Sequence, residues 1–203
     1  MKFKKLKNTE IITIGLSVLA LIISIRSCSI SQNALNLSQQ EYLDKFKNVW
    51  TGTYDKENET LKIIPTNKNV VLQKATAYYP DVISDSEWPI RPPENILHIT
   101  VPTIQIRRMI KDKFPLKKGF AQVLDTSRIP IIIESNYTLN GDNLYDVSVY
   151  MIEFNAVIND EENDLPKVFI SGLIFSHQIK EDIKIKDYIN DFWKNGLEGK
   201  FEK

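Results

Sequence analysis

The chain is poor in the residues that most often carry chemistry or cross-links. Only one of its 203 residues is a cysteine, Cys28, so the part beyond it cannot form an internal disulfide. That excludes the disulfide-stapled secreted domains and fits a bacterial protein on either side of its membrane. Histidine occurs twice, at His98 and His177, each within a strand-like pattern and without a His, Cys or carboxylate at ligand spacing. Neither a metal site nor a hydrolytic triad is indicated, and no G-x-S-x-G is present. The seven glycines are scattered, with neither a G-x-x-x-x-G-K nor a G-x-G-x-x-G among them. No catalytic residue, metal or cofactor is implied, and the expectation is a non-enzymatic protein.

Charge of one sign is lacking too. Lys and Arg total 26, as do Asp and Glu, so the net charge is zero and no broad field invites nucleic acid. Ile, Lys and Asn are used heavily while Gly and Ala are scarce, the composition expected of an AT-rich bacterial genome.

Long apolar runs are missing except for one. Residues 11–25 read IITIGLSVLALIISI without a charge. Such a run suits lipid, where a helix satisfies its own backbone polar groups. At 1.5 Å per residue the run covers roughly 22 Å, short of a hydrocarbon layer of about 30 Å. Extension to Ile30 supplies the rest, with Arg26 snorkelling to the headgroups. Ile11, Gly15, Leu19, Ile23 and Arg26 are the expected anchoring residues. A cleavable signal is the rival reading, but Arg26 stands where a cleavage region is small and neutral. The same residue weakens a lipoprotein signal ending at Cys28. Lys2, Lys4, Lys5 and Lys7 precede the run and only Arg26 follows closely. The positive-inside rule then places the N-terminus in the cytoplasm and the C-terminal domain outside, in a single-pass protein of the cell membrane.

Beyond the span the expected order is a stalk helix over 31–51, a β domain over 52–178 and a C-terminal helix within 179–203, after a basic tail of residues 1–10. Leu35, Tyr42, Phe46 and Val49 recur at helical spacing, widened by Leu43 and Trp50, and the helix is expected to stop near Thr51-Gly52. Strands are predicted at 61–64, 70–79, 96–106 (edged by Pro102), 120–124, 129–139, 144–158 and 168–177. Asn140-Gly141-Asp142-Asn143 joins the strongest pair. Ile185, Tyr188, Ile189, Phe192 and Trp193 make the apolar stripe of the closing helix. Short strands with helices at the two ends predict a mainly β fold, an antiparallel β-sandwich or small barrel.

Two segments stand out as candidate contact surfaces. From Arg107 to Lys118, six basic residues (Arg107, Arg108, Lys111, Lys113, Lys117, Lys118) oppose one acid, Asp112. Such a segment suits anionic headgroups, a cell-wall polyanion or a small phosphorylated ligand, with Arg107 and Arg108 supplying forked contacts. The loop 80–95 holds Trp88 and Arg91 among Pro89, Pro92 and Pro93, a pre-ordered aromatic surface of the kind used in recognition. Against these stand plainer readings, a solvated basic face and a Trp88 that caps the core. The acidic run 159–164 lacks the spacing and glycine of a calcium loop and reads as a solvated turn.

The leading expectation is a membrane-tethered β domain that binds a protein or envelope partner outside the cytoplasm. Another is a defence or toxin effector whose cytoplasmic β domain senses a small anion and acts through oligomerisation of the span. Gly15, Ser17 and Ser24 are small enough for helices to approach there. A third is a subunit of a secretion or conjugation assembly. Self-association through span and stalk is a partner choice common to these.

Overall fold

The computed structural model describes residues 8–46, 48–114, 121–159, 165–179 and 182–196. The chain divides into two units, 1–47 and 48–203.

The first unit contains one helix, α1 (Asn8–Phe46), of 39 residues. No proline interrupts it, and at 1.5 Å per residue it is about 58 Å long. Within it Leu16–Leu35 is long and apolar enough to cross a membrane, and none of that stretch is buried in the protein. Leu19 and Ile23 are more than half exposed, and Arg26 is exposed beside them. Apolar side chains bared on every side of a helix need a non-aqueous surrounding or a partner. Lys2, Lys4, Lys5 and Lys7 lie outside the described residues.

The second unit holds β1 (Trp50–Asp55), β2 (Thr60–Pro65), β3 (Val70–Tyr78), β4 (Glu87–Ile90), β5 (Ile96–His98), α2 (Thr100–Lys113), β6 (Ala121–Leu139), β7 (Asp142–Asn159), β8 (Lys167–Gln178) and α3 (Ile185–Gly196). All eight strands join one antiparallel sheet in the order β4-β3-β6-β7-β8-β1-β2-β5. Its spine is the β6–β7 hairpin, whose two-residue turn has Asn140 at φ 53° and Gly141 at φ 96°. Positive φ at both positions matches the right-handed twist of the flanking strands, which is why Asn-Gly is found there.

Side chains alternate along β7, so Tyr150, Ile152 and Phe154 share one face and Val147 and Val149 the other. The register carries the first face to Ile131 and Ile133 on β6 and Leu173 on β8, and on to Gly52 of β1 and Ile63 of β2. Trp50 lies on that face. Its indole Nε1–H donates to Ser135 Oγ on β6 at 3.2 Å, although β7 and β8 stand between those strands. Strands spaced by roughly 4.8 Å bring such groups together only if the sheet curls inward. The opposite face is covered by α3, where Ile189 packs with Ile132, Val147, Val149 and Ile179. Lys186 of α3 donates to the carbonyls of Tyr79 and Ser84 and to the Asp81 carboxylate, tying the β3–β4 loop to the helix.

Four details differ from the sequence reading. The helix ends at Phe46, and Val49 and Trp50 belong to the β unit. Both fit a helical stripe, but Trp50 is 1% exposed inside the sheet, and that burial decides its conformation. The strand predicted at 96–106 is a three-residue strand followed by α2. Pro102 occupies the third helical position, where no backbone N–H is required, and so opens a helix instead of edging a strand. The buried Pro102, Thr103, Ile106, Met109 and Ile110 follow the helical period. The segments 121–124 and 129–139 form one strand, with the register shifting between Leu124 and Ser127. Finally, Glu87–Ile90, inside the loop predicted over 80–95, forms β4 and pairs with β3.

Candidate functional site

A cavity of about 390 Å³ opens beside β1, β8 and α2. It is lined by Tyr54, Lys56, Glu59 and Arg107, and by the run Leu165–Ile170. Each group arrives by a separate route. Alternation along β1 puts Tyr54 on the same face as Trp50 and Gly52, at the strand's far end. The turn after it is held by Asp55, whose carboxylate accepts the N–H groups of Glu57 and Asn58 and the Asn58 side-chain amide at 2.7 Å. Those bonds, the Asn58 side chain first, hold the Asp55 carboxyl below its ordinary value. The same turn presents Lys56 and Glu59, and Glu59 takes a left-handed φ of 49°. From β8 come the buried Val168 and Ile170 on the sheet's inner face, with Lys167 and Phe169 alternating outward.

Arg107 arrives from the middle of α2. Its Nη2 lies 3.7 Å from Glu59 Oε1, with both side chains about one-third exposed. That separation allows an ionic attraction but no hydrogen bond. Arg107 Nε is buried without a hydrogen-bond partner among the described residues. A forked cation is therefore held at the cavity with its Nε donor unused among the described residues. Lys56 Nζ stands 6.0 Å over the Phe169 ring. Among the described residues, Lys56, Arg107 and Lys167 against Glu59 leave the lining two charges positive. Burial, and next the Glu59 carboxylate, push the Tyr54 phenol up from its ordinary value, with Arg107 opposing. At neutral pH Tyr54 is thus an O–H donor.

The candidate residues read from the sequence are dispersed. Arg107 alone lines this cavity. Arg108 is exposed on α2, one position and about 100° of helix away. Lys111 and Lys113 are half-buried and each is engaged in an interaction of its own. Lys117 and Lys118 lie outside the described residues, as do residues 160–164 of the acidic run. Trp88 is half-buried on β4, its indole donating to Ser84 Oγ at 3.0 Å and its ring edge-on to the buried Tyr79. Arg91 is exposed at the end of β4, where it bridges Ile96. Trp88, Arg91 and Arg107 are not brought together. Tyr54, Lys56, Glu59 and Lys167 escaped the sequence reading, because no spacing links residues contributed by a strand, a turn and a distant strand.

Among the described residues no three His, Cys, Asp or Glu side chains gather to hold a metal. His98 is exposed on β5, and His177 contacts Tyr188 Oη at 2.8 Å and Ser176 Oγ at 3.0 Å. Comparison with known proteins finds no matching family model, no similar curated protein and no similar solved structure.

Proposed function

We propose that this is a single-pass membrane-tethered binding protein without catalytic activity, whose β domain takes a small ligand in the cavity beside Arg107. The observation that carries this reading is the cavity itself. About 390 Å³ is within the range of small-ligand sites, and its apolar wall with a few convergent polar groups is their usual composition. Tyr54, Lys56, Arg107 and Lys167 can bind and orient an anion. The anchor rests on α1, whose Leu16–Leu35 stretch is bare and apolar. Four lysines before the span and one arginine just after it support an N-terminus in the cytoplasm and a β domain outside.

In this reading the sheet closes as a small barrel. Arg91 and Ile96 form an antiparallel bridge between the ends of β4 and β5, the two outermost strands in the order. Closure removes the exposed edges that an open sheet would offer for aggregation.

Two measurements test the proposal. Protease protection of a tag after Lys203, in intact and permeabilised cells, reads the orientation. A tag protected only by the inner membrane would overturn the outside placement and leave a cytoplasmic sensor of the same ligand. Fragment screening of the full chain in lipid nanodiscs, read by amide hydrogen exchange, tests the site. Protection of the β1 end and Val168–Ile170 is expected, and ligands that protect only other segments would sink the assignment.

A further inference from the structure

We infer that the ligand of this cavity is an organic phosphate monoester, bound as its dianion, and that Glu59 is the internal anion it displaces from Arg107. The inference rests on the cavity being the binding site and adds the chemistry of the ligand.

Three observations lead there. First, the charge of the lining is unbalanced by two among the described residues, where Lys56, Arg107 and Lys167 stand against Glu59. A ligand carrying two negative charges restores neutrality, whereas a neutral or singly charged one leaves net positive charge around the partly buried Arg107. Second, Arg107 is poorly satisfied where it stands. Its buried Nε has no partner among the described residues, and its terminal nitrogen keeps 3.7 Å from Glu59. The planar guanidinium offers parallel N–H donors matched to two oxygens of one phosphate. Third, Glu59 sits at a positive φ of 49°, a conformation that favours Gly or Asn, yet the position carries a carboxylate aimed at Arg107. A weakly held counter-ion suits this arrangement, because it keeps the cation from standing alone while the cavity is empty. It is also easily replaced. Tyr54 contributes an O–H donor, and Leu165 and Val168 give the organic part an apolar wall.

Such a headgroup can come from a soluble metabolite or from a lipid. The full chain in phosphatidylcholine nanodiscs would be titrated by calorimetry with phenyl phosphate, with phenyl sulfate (the same shape with one charge fewer) and with neutral phenol. Phenyl phosphate is expected to bind at least about tenfold more tightly than phenyl sulfate, and phenol more weakly still. Arg107→Met should weaken phenyl phosphate by roughly ten- to a hundredfold. Glu59→Gln should tighten it severalfold, and Lys167→Gln should weaken it. Lys167 is exposed and Glu59 half-buried in a turn, so the last two changes read the site even if the α2 variant folds poorly. Equal affinity for phosphate and sulfate, or Glu59→Gln leaving phenyl phosphate binding unchanged, overturns the inference. Phenol protecting Val168–Ile170 from exchange as well as phenyl phosphate does would keep the cavity as a binding site and refute the phosphate. Silence from all three probes would refute both. Adding phosphatidic acid to the nanodiscs separates the sources. Competition with phenyl phosphate assigns a lipid headgroup, and undiminished binding assigns a soluble ester; each outcome supports the class.

Discussion

The backbone N–H of Trp50 donates to the hydroxyl of Tyr150 at 3.1 Å, joining the first strand to the spine of the sheet across 100 positions of sequence. Trp50 also donates its indole N–H to Ser135, so one residue fastens β1 to both β6 and β7. Tyr150→Phe keeps the ring and orphans a buried N–H. Chemical denaturation is expected to show a loss of about 1–3 kcal/mol, and an unchanged midpoint would refute this fastening.

Tyr79 presents the opposite case. Its hydroxyl is buried with no hydrogen-bond partner among the described residues. Tyr79→Phe removes a desolvated polar group and is expected to be neutral or to stabilise by about 1 kcal/mol. A clear loss of stability would mean that the hydroxyl is satisfied after all.

Alkaline pH should weaken the fold. Burial raises the phenols of Tyr79 and Tyr150 above their ordinary value of 10.0, and burial together with the Glu134 carboxylate does so for Tyr78. Above that pH the unfolded chain releases phenolic protons that the folded chain retains, so unfolding is favoured as pH rises. The stability from these groups is complete below pH 10.0 and declines above it. Tyr79→Phe should flatten the decline. A stability that stays level well above that pH would contradict the argument.

Gly52 of β1 pairs with Leu173 of β8. A Cβ there would lie 2.7 Å from Leu173 Cβ and 3.0 Å from two carbons of Leu61. Gly52→Ala must push strands apart and is expected to cost about 1–3 kcal/mol in thermal or denaturant unfolding. Wild-type stability would show that the sheet relaxes more readily than its packing implies.

Trp88 is expected to act on stability and not on binding. Trp88→Phe loses the bond to Ser84 and part of the edge contact with Tyr79, roughly 1 kcal/mol. Phenyl phosphate affinity should stay unchanged. A drop in that affinity would return the β3–β4 loop to the role of recognition surface.

Much of the scaffold was legible in the residues. The apolar stretch within α1, the Asn140-Gly141 turn and the stripe of Ile185, Tyr188, Ile189, Phe192 and Trp193 in α3 are local signals, each read within a few turns or a single hairpin. The failures also have physical causes. Helical spacing extended to Val49 and Trp50, but the burial available to Trp50 inside the sheet outweighs a local period. Pro102 is compatible with both a strand edge and a first helical turn, and only the core contacts of Ile106, Met109 and Ile110 select the helix.

The residues alone thus determined that an apolar helix precedes a β-rich unit closed by an amphipathic helix, because periodicity and turn chemistry act between near neighbours. Tertiary structure decided the strand order and with it the cavity. Tyr54, Lys56, Glu59, Arg107 and Lys167 span 114 positions from first to last, counting from 54 to 167 inclusive. No local preference draws them together; the pairing of β1 with β8 and the packing of α2 do. Arg107 was visible as a charge among charges, and only its place in the fold sets its guanidinium 3.7 Å from the Glu59 carboxylate.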